Sequence, residues 1–362
     1  MNTANIVKTV AGTGADTYNG ENVAATSANI ALPTGIAVDP SNGDIYVACT
    51  NAVRIQVLTK STELVSTFAG SGNAGWTGDE GYATAAGMEF PEGLFLDTSN
   101  NLYFADMNSN VVRFVTSNSP SVAPTTAPSL FPSNKPTVPP SPSPIAPSTS
   151  PTVAPSYSCA PTASPTLTSH PTAAPTSARS STQYLFTIAG TGNTGSTGSE
   201  GLATSAWIND PRGVWQNTNG VLYFSEYNGH CVRKFSVSDY IVNDFAGVCG
   251  INAYGSPGGP ATSTDLYNPL GVMGDTNGNV YVGDSVNNRV AKVSSSGILT
   301  NIVGSGSFTN SGDGGSATSA QTKTPTWLWI STSGQTYFVC YDSYIIRTIN
   351  PSGIISTFAG TY

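Results

Sequence analysis

A tyrosine-centred hexamer recurs five times along this chain. The copies are DIYVAC (44–49), NLYFAD (101–106), VLYFSE (221–226), NVYVGD (279–284) and QTYFVC (335–340). Their tyrosines are separated by 57, 120, 58 and 56 residues, so one interval is about double the others. A fixed spacing of this size is typical of repeat architectures, in which each repeat is one supersecondary unit.

Each period contains four short predicted strands, which we name a, b, c and d in chain order. An alternating segment such as GLFLD (93–97) precedes a turn and the tyrosine hexamer, and the strands VVRFV (111–115) and TFAG (67–70) exemplify c and d. A four-stranded sheet cannot bury both of its faces alone. Units repeated at this spacing therefore stack radially, and the sequence predicts an all-β fold, a β-propeller with five recognisable blades.

The doubled interval contains a segment of different composition, residues 118–182. It carries 16 of the 25 prolines and two charged residues, Lys135 and Arg179, and without it the interval of 120 residues falls to 55. Because it enters between strands c and d of blade 2, we expect residues 1–117 and 183–362 to form one propeller. The segment itself is predicted to be disordered, either as a mucin-like O-glycosylated spacer or as a neutral low-complexity expansion.

The numbers of predicted strands do not match. The chain has five a-b-c triplets but six d-like segments. The surplus segment is IVKTVAG (6–12), a close copy of ELVSTFAG (63–70) and of GIISTFAG (353–360). We expect it to be a spare N-terminal outer strand. Two explanations remain open: a truncated six-bladed ring that lacks three strands, or a five-bladed ring with one extra strand.

The run TFAGSGNAGWTGDEGYATAAGMEFPEGLFLDTSNNLYFADMNSNVVRFV (67–115) resembles an NHL repeat, and TNIVGSGSFTNSGDGGSATSAQ (300–321) with its flanks does so too. The resemblance covers the chain outside residues 118–182. It implies a propeller that commonly has six blades. It does not imply one activity, because NHL proteins include protein-binding scaffolds, RNA-binding regulators, extracellular sensor domains and a few lyases.

Charge narrows the classes of partner. The chain has 13 Lys and Arg against 21 Asp and Glu, a net charge of −8, and no run of basic residues, which argues against nucleic-acid and anionic-membrane binding. No apolar run approaches a membrane span, and MNTANIVKTV lacks the features of a signal peptide. We therefore expect either a cytosolic protein or one whose N-terminus is missing from this sequence.

The cysteines indicate whether the protein folds in an oxidising compartment. Cys231 begins strand c of blade 3 and Cys249 follows strand d of the same blade, at ends that lie side by side in a propeller. The pair is predicted to form a disulfide, with two unrelated buried thiols as the alternative. A disulfide would favour an extracellular or cell-surface location. Cys49 and Cys340 are expected to stay unpaired, as is Cys159 in the insertion.

Candidates for catalysis are few. Of the two histidines, His170 lies in the insertion and His230 in a loop, and no GxSxG motif accompanies them. NHL-like amidating lyases use a histidine-ligated metal, and this sequence departs from that pattern. No catalytic residue is predicted.

Carboxylates end strand b in three blades, where they would point toward one mouth of the ring. These residues are Asp106, Glu226 and Asp284. Converging oxygens of this kind can hold Ca²⁺. In the alternative, each carboxylate binds its own loop or pairs with an arginine of strand c, namely Arg113, Arg233 or Arg289.

Aromatic side chains supply the remaining candidate site. Strand a begins with Gly in four blades, at Gly35, Gly93, Gly213 and Gly271, whereas blade 5 has Trp327. Further aromatic residues lie in the loops predicted for the same face. The predicted ligand-binding residues are Trp76, Trp207, Tyr227, Tyr254, Trp327 and Tyr341. In the alternative, these rings close the core of the propeller.

The sequence favours a non-catalytic NHL-type propeller that binds a protein, peptide or glycan partner at this loop face, with no required cofactor. Two other functions stay open. One is a Ca²⁺-dependent lyase or hydrolase that uses Asp106, Glu226 and Asp284, and the other is a structural protein of the cell surface or wall.

The placement of the insertion in a c–d hairpin loop yields a testable prediction. Deleting residues 118–182 and joining Ser117 to Gln183 should preserve the fold, because loop closure costs only about 0.6 kcal/mol per doubling of loop length. Urea unfolding of both chains measures the change. A loss of more than about 1–2 kcal/mol would show that the segment stabilises the propeller.

Overall fold

A computed structural model describes residues 7–117 and 182–361 of the chain. It contains five sheets in which strands a, b, c and d are hydrogen-bonded antiparallel in that order. Successive sheets pack against each other through strand a. The predicted all-β fold with a five-bladed propeller arrangement is therefore confirmed. The predicted insertion at 118–182 lies outside the described residues except for Thr182.

The four strands of each blade are five or six residues long. Blade 1 contains Pro33–Val38, Ile45–Cys49, Arg54–Thr59 and Leu64–Ala69. Blade 2 contains Pro91–Leu96, Leu102–Asp106, Val111–Thr116 and Tyr184–Ala189. Blade 3 contains Pro211–Gln216, Val221–Glu226, Cys231–Ser236 and Ile241–Ala246. Blade 4 contains Pro269–Gly274, Val280–Asp284, Arg289–Val293 and Leu299–Val303. Blade 5 contains Pro325–Ile330, Thr336–Cys340, Ile345–Ile349 and Ile355–Ala359.

Two-residue strands and single-turn helices lie in the loops that connect the main strands. Two-residue strands extend the outer edges of the first three sheets at Val23–Ala24, Gly81–Tyr82 and Gly201–Leu202. Single-turn 3₁₀ helices occupy Ala25–Ser27, Ala83–Ala85, Ala203–Ser205, Ala261–Ser263, Ala317–Ser319 and Tyr341–Ser343. The first five of these turns precede the inner strand of a blade, whereas Tyr341–Ser343 lies between strands b and c of blade 5.

The tyrosines of the repeated hexamer form the cores between neighbouring blades. Tyr46 of blade 1 is fully buried in a cluster with Leu94 and Leu102 of blade 2. Tyr103 and Tyr223 occupy the same position one and two blades further on. Burial of a large side chain stabilises the folded state by roughly 1.5–3 kcal/mol, so the repeated tyrosine contributes at several interfaces.

Glycine at the start of strand a permits the blades to approach closely. A Cβ atom added at Gly35 would lie 2.3 Å from the carbonyl oxygen of Glu92 in the next blade, and one at Gly213 would lie 2.4 Å from that of Leu270. Such distances leave no room for any side chain. Glycine is therefore required where another blade follows.

Side-chain hydrogen bonds join three of the blade pairs at the loop before strand c. Asn110 Oδ1 accepts a hydrogen bond from the backbone N–H of Asp210 at 3.0 Å. His230 Nδ1 accepts one from Asn268 N–H at 3.3 Å. Asn288 Oδ1 accepts an equivalent hydrogen bond from the backbone N–H of Thr324, which precedes strand a of blade 5. His230, which the sequence marked only as a loop residue, therefore has a structural partner.

Cys231 and Cys249 form a disulfide, with their Cα atoms 5.0 Å apart. The bond ties the start of strand c in blade 3 to the loop after strand d. Cys49 and Cys340 are buried free thiols, and Cys159 lies outside the described part of the chain.

The N-terminal segment differs from its prediction. Its described part, residues 7–12, forms no strand, and Val7 and Val10 are exposed by 80% and 59%. A d strand forms only beside a c strand, and the described residues place none next to this segment. The prediction of an outer strand at 6–12 is therefore wrong for the described part, although the sequence pattern is that of strand d.

The role of His230 can be tested by pH. Burial lowers the pKa of His230 below its usual value, and only the neutral imidazole can accept the Asn268 hydrogen bond. Because the unfolded chain binds the proton more tightly, this stability is complete above about pH 6.5 and declines as the pH falls below that value. His230→Asn should keep the bond and lose the part of the pH dependence that His230 contributes.

His230→Gly is the matched control, since glycine tolerates the φ of 58° at this position but has no acceptor. We expect it to be less stable than His230→Asn by about 1 kcal/mol at pH 8. Urea unfolding at pH 8 and pH 5.5 provides the comparison. Equal stability of the two variants at pH 8 would contradict the role of the hydrogen bond.

Candidate functional site

The mouth of the central channel is lined by one side chain from the start of each strand a. Each strand begins with Pro-x-Gly, or with Pro-Thr-Trp in blade 5, and its pairing with strand b is irregular at this point. A β-bulge of this kind redirects a side chain. The five side chains that line the mouth are Thr34, Glu92, Arg212, Leu270 and Thr326.

The residue before each of these prolines has a left-handed backbone conformation. These residues are Leu32, Phe90, Asp210, Asn268 and Thr324, with φ angles of 46°, 62°, 58°, 54° and 45°. Positive φ is unfavourable for leucine and especially for β-branched threonine. Every blade therefore has one such residue before strand a, and other described residues away from these prolines, such as Val53 and Glu63, also have positive φ.

These side chains surround a cavity of about 720 Å³. Its walls also include Tyr227 of blade 3 and Trp327 and Tyr341 of blade 5. A volume of this size and an aromatic lining are typical of sites that hold small molecules or short segments of polypeptide.

A charged cluster lies on one wall of the cavity. Arg212 Nη1 is 2.6 Å from Glu92 Oε1, and Arg212 Nε is 2.7 Å from Asp210 Oδ1. The Arg212 guanidinium stacks on Tyr227, with 4.8 Å between the guanidinium carbon and the ring centroid. Burial raises the pKa of Glu92 to about 7, although Arg212 opposes the shift. The cluster thus contains two carboxyl groups, those of Glu92 and Asp210, and one guanidinium group, that of Arg212.

The structure divides the six predicted ligand-binding residues into two groups. Tyr227, Trp327 and Tyr341 line the mouth cavity. The other three, Trp76, Trp207 and Tyr254, lie over the outer parts of their blades.

Contacts with outer strands hold the second group there. Trp76 donates a hydrogen bond to Thr187 in strand d of blade 2, and Tyr254 accepts one from Asn301 in strand d of blade 4. The Trp207 ring lies against Gly195 in the loop between blades 2 and 3. These three rings do not share the cavity with the first group.

Trp327 closes the floor of the mouth cavity. Its Cη2 atom lies 2.9 Å from the position that a Cβ atom would take at Gly93, so the indole crosses the channel from blade 5 to blade 2. Trp327 also lines a second cavity of about 590 Å³ further along the channel. The indole therefore lines both cavities.

Each of the three carboxylates predicted to bind Ca²⁺ is held in an ion pair of its own. Asp106 and Glu226 are buried 3.2 Å from Arg113 and Arg233, and Asp284 is buried 2.6 Å from Arg289. Each carboxylate also accepts a backbone N–H from the preceding loop. Residues 7–117 and 182–361 contain no cluster of three or more His, Cys, Asp or Glu that could hold a metal ion. This geometry is the one described by the ion-pair alternative, and the calcium site stays a prediction.

Sequence reasoning missed Glu92 and Arg212. The available signal was the variable residue in Pro-x-Gly: across the five repeats it is Thr, Glu, Arg, Leu and Thr, so the two charged members stand out only when the repeats are aligned. Their separation of 120 residues in sequence hides the ion pair.

Comparison with known proteins identifies the repeat. The sequence model of the NHL repeat matches residues 31–58. A search of curated proteins found no match. Within the described ranges, no helix has the length and hydrophobicity of a membrane span.

Several solved structures are similar in fold at low identity. Selenomethionine-substituted virginiamycin B lyase from Staphylococcus aureus is 12% identical, with a TM-score of 0.45, over 91% of this chain and 70% of that one. A nidogen/laminin complex contains a chain that is 9% identical, with a TM-score of 0.48, over 89% and 76%. A protein of unknown function from Bacteroides thetaiotaomicron is 14% identical, with a TM-score of 0.47, over 94% and 74%.

Glu92 should make the stability of the chain depend on pH. The folded state holds a proton on Glu92 up to about pH 7, whereas the ordinary pKa is 4.5, so the stability that this group provides is lost as the pH rises between those values. In the Glu92→Gln variant, this loss of stability with rising pH should disappear. The free energies of unfolding of the two chains should diverge by up to about 3 kcal/mol across this window.

Urea unfolding at several pH values from 4.5 to 8 measures the divergence. Glu200→Gln, which changes an exposed glutamate, is the control and should follow the unmodified chain. Parallel pH profiles for Glu92→Gln and the unmodified chain would show that Glu92 titrates normally.

Proposed function

Because this chain is an NHL-repeat β-propeller, we propose that it is a non-catalytic scaffold that binds a segment of polypeptide at the mouth of its central channel. The observation that carries the proposal is the cavity of about 720 Å³, in which aromatic rings and one charged cluster lie together. The binding face is the one formed by the b–c and d–a loops.

Exposed aromatic surface supports a binding role. The Tyr341 side chain is 64% exposed at the rim, and Trp327 forms the floor below it. Tyrosine and tryptophan combine a large apolar surface with a hydrogen-bonding group, and they are enriched where proteins bind one another. A side chain of the partner that enters the cavity would contact both rings.

The charges around the mouth favour a basic partner. Glu92 and Asp210 share the cation of Arg212, and Asp342 of blade 5 adds a further acid to the lining of the same cavity. A lysine or arginine of the bound segment would balance this excess. The chain's net charge of −8 acts in the same direction at longer range.

Two further features complete the proposal. The Cys231–Cys249 disulfide supports a location in an oxidising compartment, at the cell surface or outside the cell. The ion pairs of Asp106, Glu226 and Asp284 leave these carboxylates engaged by the fold, so we favour binding over a Ca²⁺-dependent lyase or hydrolase. A glycan is the alternative ligand, because aromatic rings also stack on sugars.

Selection from a phage-displayed random peptide library on the immobilised chain tests the proposal. We expect enriched peptides to contain lysine or arginine. Their affinity should fall at least about tenfold for Tyr341→Ala, which corresponds to the loss of about 1.4 kcal/mol of contact. Fluorescence polarisation with labelled peptides measures the change.

Tyr82→Ala is the matched control, because Tyr82 is 60% exposed but lies on the outer edge of blade 2. It should bind the selected peptides like the unmodified chain. Peptides that bind Tyr341→Ala and the unmodified chain equally would contradict the site. If no peptide is enriched and the chain instead binds a glycan array, the ligand is a glycan and not a peptide. In that case Tyr341→Ala should abolish binding to the array.

A further inference from the structure

The central channel holds an apolar cavity that is distinct from the charged cluster at its mouth. The cavity has a volume of about 590 Å³, and strand a of every blade contributes to its wall. None of the described side chains that line it carries a charge, whereas Glu92 and Arg212 line the cavity at the mouth. An ionised group in the channel cavity would therefore lose its hydration without gaining a charged partner.

One position of strand a places large side chains in this wall. It is the fifth residue of the strand, and among the five blades only blade 1 has a small side chain there. In blade order the residues are Ala37, Phe95, Trp215, Met273 and Trp329. The wall is therefore formed mainly by aromatic rings and a thioether, and the small side chain of blade 1 leaves space beside them.

Tyrosines of strand b hold the rings of this wall in place. The ring centroids of Trp215 and Tyr223 are 5.4 Å apart, and those of Trp329 and Tyr337 are 5.6 Å apart. Both tryptophans are thus packed against their own blades before any ligand binds. A ligand that contacts them restricts little additional side-chain freedom, which favours binding.

Solvent reaches the cavity, because part of its apolar wall is uncovered. Ile36, Val38 and Trp329 line it and are 65%, 52% and 53% exposed. Each Å² of apolar surface that a ligand removes from water stabilises the complex by about 25 cal/mol. Contiguous apolar surface that stays exposed in a folded chain is typical of binding sites.

The size and shape of the cavity limit what can occupy it. An apolar cavity of about 150 Å³ can hold one benzene molecule, so a cavity of about 590 Å³ has room for roughly three or four fused rings. Because all five blades contribute to the wall, the occupant lies within the channel. A small molecule meets this condition, whereas the flat surface of another protein does not.

We propose that this cavity binds an uncharged aromatic small molecule of about three fused rings. Aromatic rings attract one another in offset-stacked and edge-to-face arrangements, and the sulfur of Met273 adds a favourable contact with a ring. Ile36 and Val38 cover the ligand from blade 1, and Trp329 covers it from blade 5. The inference does not depend on the polypeptide site proposed at the mouth, although Trp327 lines both cavities.

Equilibrium dialysis of the full chain against phenanthrene, an uncharged tricyclic molecule, tests the proposal. We expect saturable binding of about one molecule per chain. Phenanthrene-9-carboxylate is the matched ligand control, and its charge should weaken binding at least about tenfold at pH 8. Tryptophan fluorescence gives an independent signal, because Trp215, Trp327 and Trp329 line the cavity.

Three glutamate substitutions locate the binding site. Ile36→Glu and Val38→Glu each put a charge in the wall, at positions whose exposure makes them tolerant, and should weaken phenanthrene binding at least about tenfold. Urea unfolding identifies which of the two variants keeps its stability. Leu202→Glu is the matched control, because Leu202 is 53% exposed on the outer edge of blade 3, and it should bind like the unmodified chain.

Three results would overturn the inference. The first is equal phenanthrene binding by the unmodified chain and by a folded Ile36→Glu or Val38→Glu variant. The second is saturable binding of hexadecanol but not of phenanthrene, which would identify an unbranched alkyl chain as the ligand. The third is a dimer in sedimentation that Ile36→Glu converts to a monomer, with no phenanthrene bound by either chain, which would identify a second copy as the occupant.

Discussion

The close contact between the inner strands of successive blades is the constraint on which the rest of this structure depends. A Cβ atom at Gly93 would lie 2.5 Å from the Arg212 carbonyl oxygen, and one at Gly271 would lie 2.7 Å from that of Thr326. Direct contact between backbone atoms at this distance sets the spacing of the blades. The width of the channel, the burial of the repeated tyrosine and the bulge at Pro-x-Gly all follow from that spacing.

A second layer of polar interactions stabilises the same contacts. Buried arginines of strand c bind an acid of the preceding strand and carbonyl groups of the loops, as Arg113 does with Asp106 and Gly87. A buried ion pair of this type contributes little net stability relative to apolar residues, but the loss of one partner is costly. The pairs therefore hold the loops before strand a in one arrangement more than they strengthen the fold.

The fold could be predicted from the sequence because each repeat gives the same local signal five times. The candidate site could be predicted only in part. The face that carries Tyr227 and Tyr254 follows from their positions in loops, but the distance of each ring from the channel depends on loop conformations that the pattern does not encode. The ion pair of Glu92 and Arg212 joins two blades and has no local signal. The segment at 6–12 has the pattern of a strand, but a strand also needs a neighbour with which to pair.

The Pro-x-Gly bulge has a consequence for how such a protein can change over evolution. Its glycine serves the close backbone contact between blades, whereas its middle side chain lines the channel mouth and differs from repeat to repeat. Leu270 is partly buried and has no charged partner, so its exchange should affect folding less than that of Glu92, whose carboxylate pairs with Arg212 of the next blade. Where the middle side chain makes no bond to the next blade, a new specificity can arise by substitution at a single position while the architecture stays the same.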